Sequence, residues 1–213
     1  MTAETTEIAA LADLLEARAA TGGRVIAALA GAPGSGKSTL ADKLAGKLNG
    51  RQAGLAAVLP MDGYHYDDLH LVPAGLRPRK GAPMTFDVGG LYHTLLRLRG
   101  REEAEVAVPV FDRKIEIARA GARLIPREVP VIVVEGNWLL LNQSPWDRLH
   151  PMFDVTVMVE VPEHALRARL RGRWERLGLT EAEIIEKLEE NDLPNGRWVR
   201  DGSIAADHVI RNG

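Results

Sequence analysis

Gly31-Ala32-Pro33-Gly34-Ser35-Gly36-Lys37-Ser38-Thr39 is the stretch whose reading decides the fold. Gly31 and Gly36 enclose four residues and are followed by Lys and Ser, the spelling of a phosphate-binding P-loop. A loop that wraps a triphosphate must turn its backbone N–H groups inward, and glycines allow this through positive φ and the lack of a Cβ. Lys37 is expected at the outer phosphates and the Ser38 hydroxyl at Mg²⁺. The helix opening at Lys37 adds its positive end to the same anion. Gly31, Gly34, Ser35, Gly36, Lys37, Ser38 and Thr39 are therefore the predicted nucleotide-binding residues. At ordinary residue frequencies a chain of 213 residues shows this spelling by chance about one time in a hundred.

The flanks fit. Arg24 to Ala30 reads as a short apolar strand, and Thr39 to Ala45 continues as a helix, so strand, glycine loop and helix follow one another as the motif requires. Before them, Ile8 to Arg18 has helical apolar spacing and stops at Gly22-Gly23. After them, Gly54 to Met61 is a second apolar run ending at Asp62-Gly63. Tyr64 to Asp87 carries Pro73, Pro78, Pro83 and a basic cluster of Arg77, Arg79 and Lys80, and is too irregular for regular structure throughout. Val88 to Leu98 reads as a helix, and Ala107-Val108-Pro109-Val110-Phe111 as a short edge strand, because Pro cannot serve a central ladder. Val129 to Glu135 is the strongest buried-strand signal and Val155 to Val161 the next. Pro162 opens an Arg-rich helix to about Leu177, Thr180-Glu181-Ala182-Glu183 spells a capping box, and Asp207 to Ile210 closes with a strand.

Strands alternating with helices predict an α/β, three-layer fold: a parallel sheet of about five strands, helices on both faces, and one domain over 1–213 with a helical lid at about 163–192. Hydrophobic residues at 46% and charged residues at 26% are ordinary for a soluble globular chain. The net charge of −2 offers no basic field, so nucleic acid is not an expected partner. With no cysteine, disulfide and thiolate chemistry are excluded. No apolar run reaches the roughly 18 residues of a membrane helix, and the acidic start Met1 to Glu7 lacks the basic opening of a signal peptide. The cytoplasm is the expected location and no membrane partner is expected. Monomer and homodimer both stay open.

In such a sheet, ligands sit beyond the carboxyl ends of the strands. Asp62 ends the second apolar strand and Glu135 the third, so both carboxylates can reach the transferred phosphoryl or its metal. One is available to take the proton of an acceptor hydroxyl, the other to hold Mg²⁺ or its waters. Asp-Gly is also an ordinary turn signal.

Asp62-Gly63-Tyr64-His65-Tyr66, Phe86-Asp87, Pro109-Val110-Phe111-Asp112 and Val133-Val134-Glu135-Gly136 occur in that order. This set resembles the uridine kinase, pantothenate kinase and phosphoribulokinase group of P-loop kinases, from about Arg24 to Ile210. It looks closest to bacterial proteins labelled nucleoside or fructose transport-system kinases. The resemblance implies ATP and Mg²⁺ as cofactors and Asp62 as catalytic base. It implies Ser38 and Glu135 at the metal, and an acceptor pocket lined by His65, Tyr66, Phe86, Asp87, Asp112 and Arg113. Arg167, Arg169, Arg171 and Arg173 occupy the place of the family's lid helix. Arg169 and Arg173, four apart on one face, are the best pair to act with Lys37 on the migrating phosphoryl. Uridine kinases usually place Ser, Thr or Asn and then Phe-Tyr after the Asp, whereas Gly63-Tyr64-His65-Tyr66 stands here, nearer the pantothenate kinase pattern. The long extra segments of those kinases are lacking.

The expected activity is transfer of the γ-phosphoryl of ATP–Mg to a hydroxyl of a small acceptor, sugar-like (fructose-type) or nucleoside- or pantothenate-like. A nucleoside monophosphate kinase is the nearest rival, with Arg77, Arg79 and Lys80 as its second phosphate site. A guanine-nucleotide switch would carry an Asn-Lys-x-Asp signature, which is absent. A motor ATPase usually ends its third strand in Asp, where Glu135-Gly136 stands here.

Overall fold

The computed structural model describes residues 4–213. In chain order it runs through a two-residue strand β1 (Glu4–Thr5), α1 (Ile8–Ala19), β2 (Val25–Gly31), α2 (Lys37–Arg51) and β3 (Ala56–Pro60). A 3-10 turn (Met61–Tyr64), the short helix α3 (Asp68–Leu71), α4 (Val88–Gly100), β4 (Glu105–Asp112), β5 (Ile117–Pro126) and β6 (Val131–Gly136) follow. Then come β7 (Val155–Glu160), α5 (Glu163–Arg176), α6 (Glu181–Glu186), a π-helical turn (Lys187–Asp192), α7 (Leu193–Gly202) and β8 (His208–Arg211).

The sheet order is β1-β8-β7-β2-β6-β3, with every neighbouring pair parallel. Five strands are those expected, and β1 adds a two-residue edge. β2 and β6 are buried along their whole length, because both sheet faces are covered. Their side chains alternate between two cores. Ile26, Ala28, Ala30, Ile132 and Val134 pack with Leu91, Leu95 and Leu98 of α4 and with Trp138 and Trp146. Ala27, Leu29, Val131 and Val133 pack with Leu11 and Leu15 of α1 and with α2. α2 presents Leu40, Leu44 and Leu48, with Ala41 and Ala45 beside them, as one stripe at helical spacing. A third cluster, Leu166, Leu170, Ile184, Leu188 and Leu193, holds α5, α6 and the start of α7 together as an arm beside the P-loop. The capping box at Thr180 forms: its side chain accepts from Glu183 N, and the Glu183 carboxylate accepts from Thr180 N at 2.8 Å.

The edge strand read at Ala107–Phe111 forms as part of β4, which lies outside the main sheet and pairs antiparallel with β5 in a separate two-stranded hairpin. Pro109 sits where the register shifts between Val108 and Val110, so its missing N–H costs no ladder bond. β5 carried no readable signal: in Ile117-Ala118-Arg119-Ala120-Gly121-Ala122-Arg123 small and charged residues replace apolar alternation, and only Ile125 of the strand is buried.

Candidate active site

The P-loop is shaped by where side chains cannot go. Gly34 and Gly36 have φ of +79° and +83°, the left-handed region. A Cβ on Gly34 would stand 2.9 Å from Leu170 Cγ of α5, and one on Gly36 would stand 2.7 Å from Asn212 Nδ2. That Asn212 amide donates to Ser35 O at 2.8 Å and so ties the loop to the chain beyond β8. Gly31 lies behind the loop, where a Cβ would meet Ser35 Oγ at 2.7 Å. Ser35 Oγ is itself buried without a partner. Gly36 caps α2, so the unpaired N–H groups of that helix's first turn open onto the same concavity. A backbone cradle at a helix N-terminus that Cβ atoms would fill suits phosphate oxygens.

The cradle opens into a cleft of about 830 Å³, within the usual range for small-molecule sites. Gly34, Gly36, Lys37, Ser38, Thr39, Asp62, His65, Phe86, Arg113 and Arg173 all line it. Ser38 Oγ donates to Glu135 Oε2 at 3.0 Å, and Glu135 is buried at the end of β6. Burial pulls the Lys37 ammonium down, although Glu135 and Asp62 both favour its charge. Burial pushes the Glu135 carboxyl up, since Lys37 and Ser38 only partly offset desolvation. Asp62 goes the other way. Burial raises it, but His65, Arg113, Lys37 and Arg173 together hold it below the usual carboxylate range. Arg113 Nη2 donates to Asp62 Oδ2 at 2.7 Å. Arg173, pulled down by burial and by the neighbouring Arg113, lies with its guanidinium 4.7 Å from the Trp174 ring centroid.

Not every predicted residue converges. Arg169 does not line the cleft; its guanidinium donates to Asn212 O at 2.7 Å. Arg167 and Arg171 are paired with Glu189 and Glu181 on the arm's surface. Only Arg173 of the four arginines faces the P-loop residues across the cleft. Asp87 caps α4 by accepting from Gly90 N at 2.8 Å, Tyr66 stacks 4.9 Å from His70, and Asp112 is paired with Arg119 at 2.8 Å, all outside the cleft lining. The family resemblance implied these three in the acceptor pocket; here the helix cap, the His70 ring and Arg119 engage them instead. Gly31 supports the loop from behind. Among the described residues no group of three His, Asp or Glu forms a metal cage. Ser38 and Glu135 nevertheless offer the hard oxygen donors that suit Mg²⁺, whose remaining positions phosphates and water ordinarily fill.

The cleft also holds groups that sequence reasoning missed. Asn137, just past the end of β6, is buried with its Oδ1 unpartnered. Its place after a strand-ending Glu was the available signal. On the arm, Asn191 donates to Lys80 O at 3.2 Å and Asn195 to Asn191 Oδ1 at 3.1 Å, while Arg79 donates to Glu190 O at 2.8 Å. This ladder clips the Arg77–Lys80 loop to the π-helical turn, and no motif announces it. Arg77 and Lys80 are engaged by Asp68, each at 2.7 Å.

Fold and cleft together define a P-loop ATP-dependent kinase acting on a small molecule. No family model matches the chain. The Schizosaccharomyces pombe protein named "Putative uridine kinase C227.14" is 35% identical over 196 residues, covering 88% of this chain and 83% of that protein. Escherichia coli YggC is 34% identical over 189 residues, 88% of this chain and 77% of YggC. Among solved structures, the "putative fructose transport system kinase" from Silicibacter sp. TM1040 matches with a TM-score of 0.87 and 40% identity, covering 96% of this chain and 98% of that one. Saccharomyces cerevisiae YFH7, at 19% identity and a TM-score of 0.82, shares the fold over 97% of this chain and 98% of its own. The chain belongs to the P-loop kinase group of the uridine kinase family. Among the described residues no helix is long and apolar enough to cross a membrane.

Proposed function

We propose that this kinase moves the γ-phosphoryl of ATP–Mg²⁺ onto a hydroxyl of a sugar-like or nucleoside-like metabolite, with Asp62 as general base. The observation that carries the reading is Asp62 itself. It is a partly buried carboxylate across the cleft from the P-loop lysine, kept ionised by four surrounding cationic or ionisable groups. The P-loop amides from Gly34 to Thr39 hold the phosphates, and Lys37 and Arg173 neutralise charge that spreads over the migrating group. Ser38 and Glu135 would hold Mg²⁺, which when bound screens the phosphate oxygens.

Arg113 then has a definite task. Its guanidinium holds Asp62 Oδ2 at 2.7 Å and leaves Oδ1 to take the proton of the acceptor hydroxyl, so Arg113 orients the base and keeps it ionised. Residues 163–192 act as a lid: the arm carries Arg173 into the cleft and is joined to the Arg77–Lys80 loop through the Asn191–Lys80 and Arg79–Glu190 hydrogen bonds, and closure would exclude water. The monophosphate-kinase reading keeps its second phosphate site: Arg77, Arg79 and Lys80 line the cleft, and the one Asp68 carboxylate that pairs with Arg77 and Lys80 offsets one of their three charges. The relatives' names favour fructose and uridine as first acceptors to try. The test is initial-rate ADP release from ATP–Mg²⁺ with fructose, uridine, pantothenate, ribulose 5-phosphate and nucleoside monophosphates. Acceptor-dependent turnover with a phosphorylated product supports the reading. Release at one rate whatever the acceptor refutes it.

A further inference from the structure

Asn212, one residue past β8, joins three parts of the molecule at one point. Its backbone N–H donates to Glu160 O at the end of β7 at 3.0 Å. Its backbone oxygen accepts from Arg169 Nη2 of α5 at 2.7 Å, and its side-chain amide donates to Ser35 O of the P-loop at 2.8 Å. A carbonyl oxygen only accepts, so Nδ2 and not Oδ1 faces Ser35. With its main chain held by β7 and α5, Asn212 reaches the loop from a set position.

The Ser35–Gly36 peptide is trans and planar, so its C=O and N–H point in opposite directions. Asn212 holds the oxygen on one side and thereby aims the Gly36 N–H to the other, into the concavity that Gly36 lines. That N–H has no hydrogen-bond partner among the described residues. The Ser35 N–H is engaged by Ala32 O at 3.1 Å, so both peptides of Ser35 are fixed. Gly36, at φ +83°, has the freedom of a residue without a Cβ, and the bond from Asn212 restrains it. Neither Asn212 nor Arg169 lines the cleft.

We infer that Asn212 is a positioning residue for phosphate binding: it keeps the Gly36 N–H turned into the cradle, and Arg169, in the first helix of the lid, acts on the cradle through Asn212. The inference rests on the kinase reading above and adds to it a link between lid helix and phosphate loop that touches no substrate atom.

The test uses the full chain and two ligands, ATP–Mg²⁺ and inorganic tripolyphosphate–Mg²⁺, titrated by calorimetry. Asn212→Ala should weaken both by the same factor of about 3- to 10-fold, the worth of one hydrogen bond. Loss on ATP alone makes Asn212 a contact to the nucleoside, and no loss on either ligand makes the tie idle; both results overturn the inference. The Gly36 amide proton, followed by ¹H–¹⁵N NMR, should move downfield when tripolyphosphate binds wild type and move much less in Asn212→Ala, while the Thr39 amide responds alike in both. Equal Gly36 responses, or the loss of every loop response together, overturn it. Arg169→Met removes a charge as well as a bond, and the charge effect persists when Asn212 is already Ala. Its cost on tripolyphosphate should therefore be at least about twofold smaller in Asn212→Ala than in wild type. The same cost in both backgrounds overturns the link to the lid. If wild type itself holds no tripolyphosphate, the kinase reading falls with the inference; no acceptor enters these measurements, so an acceptor outside the turnover panel has no bearing on them.

Discussion

Arg24 provides the sharpest stability prediction. It precedes β2, the strand that ends in the P-loop, and is only 6% exposed. Its guanidinium donates to Val129 O at 2.9 Å, Pro126 O at 2.9 Å, Arg127 O at 2.8 Å and also to Leu98 O. One side chain thus fastens the C-terminal end of α4 and the β5–β6 connection to the start of the central strand. Arg24→Met keeps most of the volume and removes every donor. The bonds to Val129 O and Leu98 O are buried, while those to Pro126 O and Arg127 O are only part-buried, where water can substitute. Two buried carbonyls left unpaired at about 1–3 kcal/mol each give a loss of about 2–6 kcal/mol, less what is regained by no longer burying a charge. We expect a net loss of about 2–4 kcal/mol, a large share of a domain's usual 5–15 kcal/mol. Urea unfolding followed by circular dichroism should show a lower midpoint at unchanged slope. Arg200→Met is the control, because the Arg200–Asp201 pair is mostly solvent-exposed and its loss should be near zero. If the two variants unfold at the same urea concentration, the carbonyl accounting is wrong.

Two further predictions concern stability. Gly46 lies inside α2 with ordinary helical φ, and a Cβ added there would meet nothing within 4 Å, so Gly46→Ala should raise stability by about 0.5–1 kcal/mol, read as a higher urea midpoint. Asp192 is buried, which pushes its carboxyl up, while the Trp174 indole donates to it at 2.8 Å. A carboxyl whose folded pKa exceeds its unfolded value loses stability as pH rises from the unfolded value through the folded one. Asp192→Asn keeps an acceptor for Trp174 without the buried charge. It should therefore melt higher than wild type at pH 7, with the difference vanishing below about pH 4. An advantage that grows on acidification would show the sign to be wrong.

The sheet and the P-loop were legible because backbone physics writes them locally. β2 and β6 are unbroken apolar runs, and the Gly34 and Gly36 positions demand residues without a Cβ. The strand-end rule also led to Asp62 and Glu135, and both stand at or beside the cleft. What was not legible depends on tertiary contact. Arg169 and Arg173 share a helix face by spacing, yet only Arg173 meets the cleft, because Arg169 is drawn to the carbonyl of Asn212. Asp112 is next to Arg113 in sequence, but Asp112 ends β4 and pairs with Arg119 of β5, whereas Arg113 lies in the turn beyond and reaches Asp62.

The central claim is that Asp62 is the base for phosphoryl transfer. It is tested most directly by measuring kcat for the best acceptor in wild type and Asp62→Asn, with ATP affinity determined separately by titration calorimetry. The amide keeps the shape and can still accept from Arg113. We predict a fall in kcat of about 10²- to 10⁴-fold, the usual contribution of a general base, with ATP affinity changed less than about threefold. A kcat within about threefold of wild type at equal ATP affinity would contradict the account.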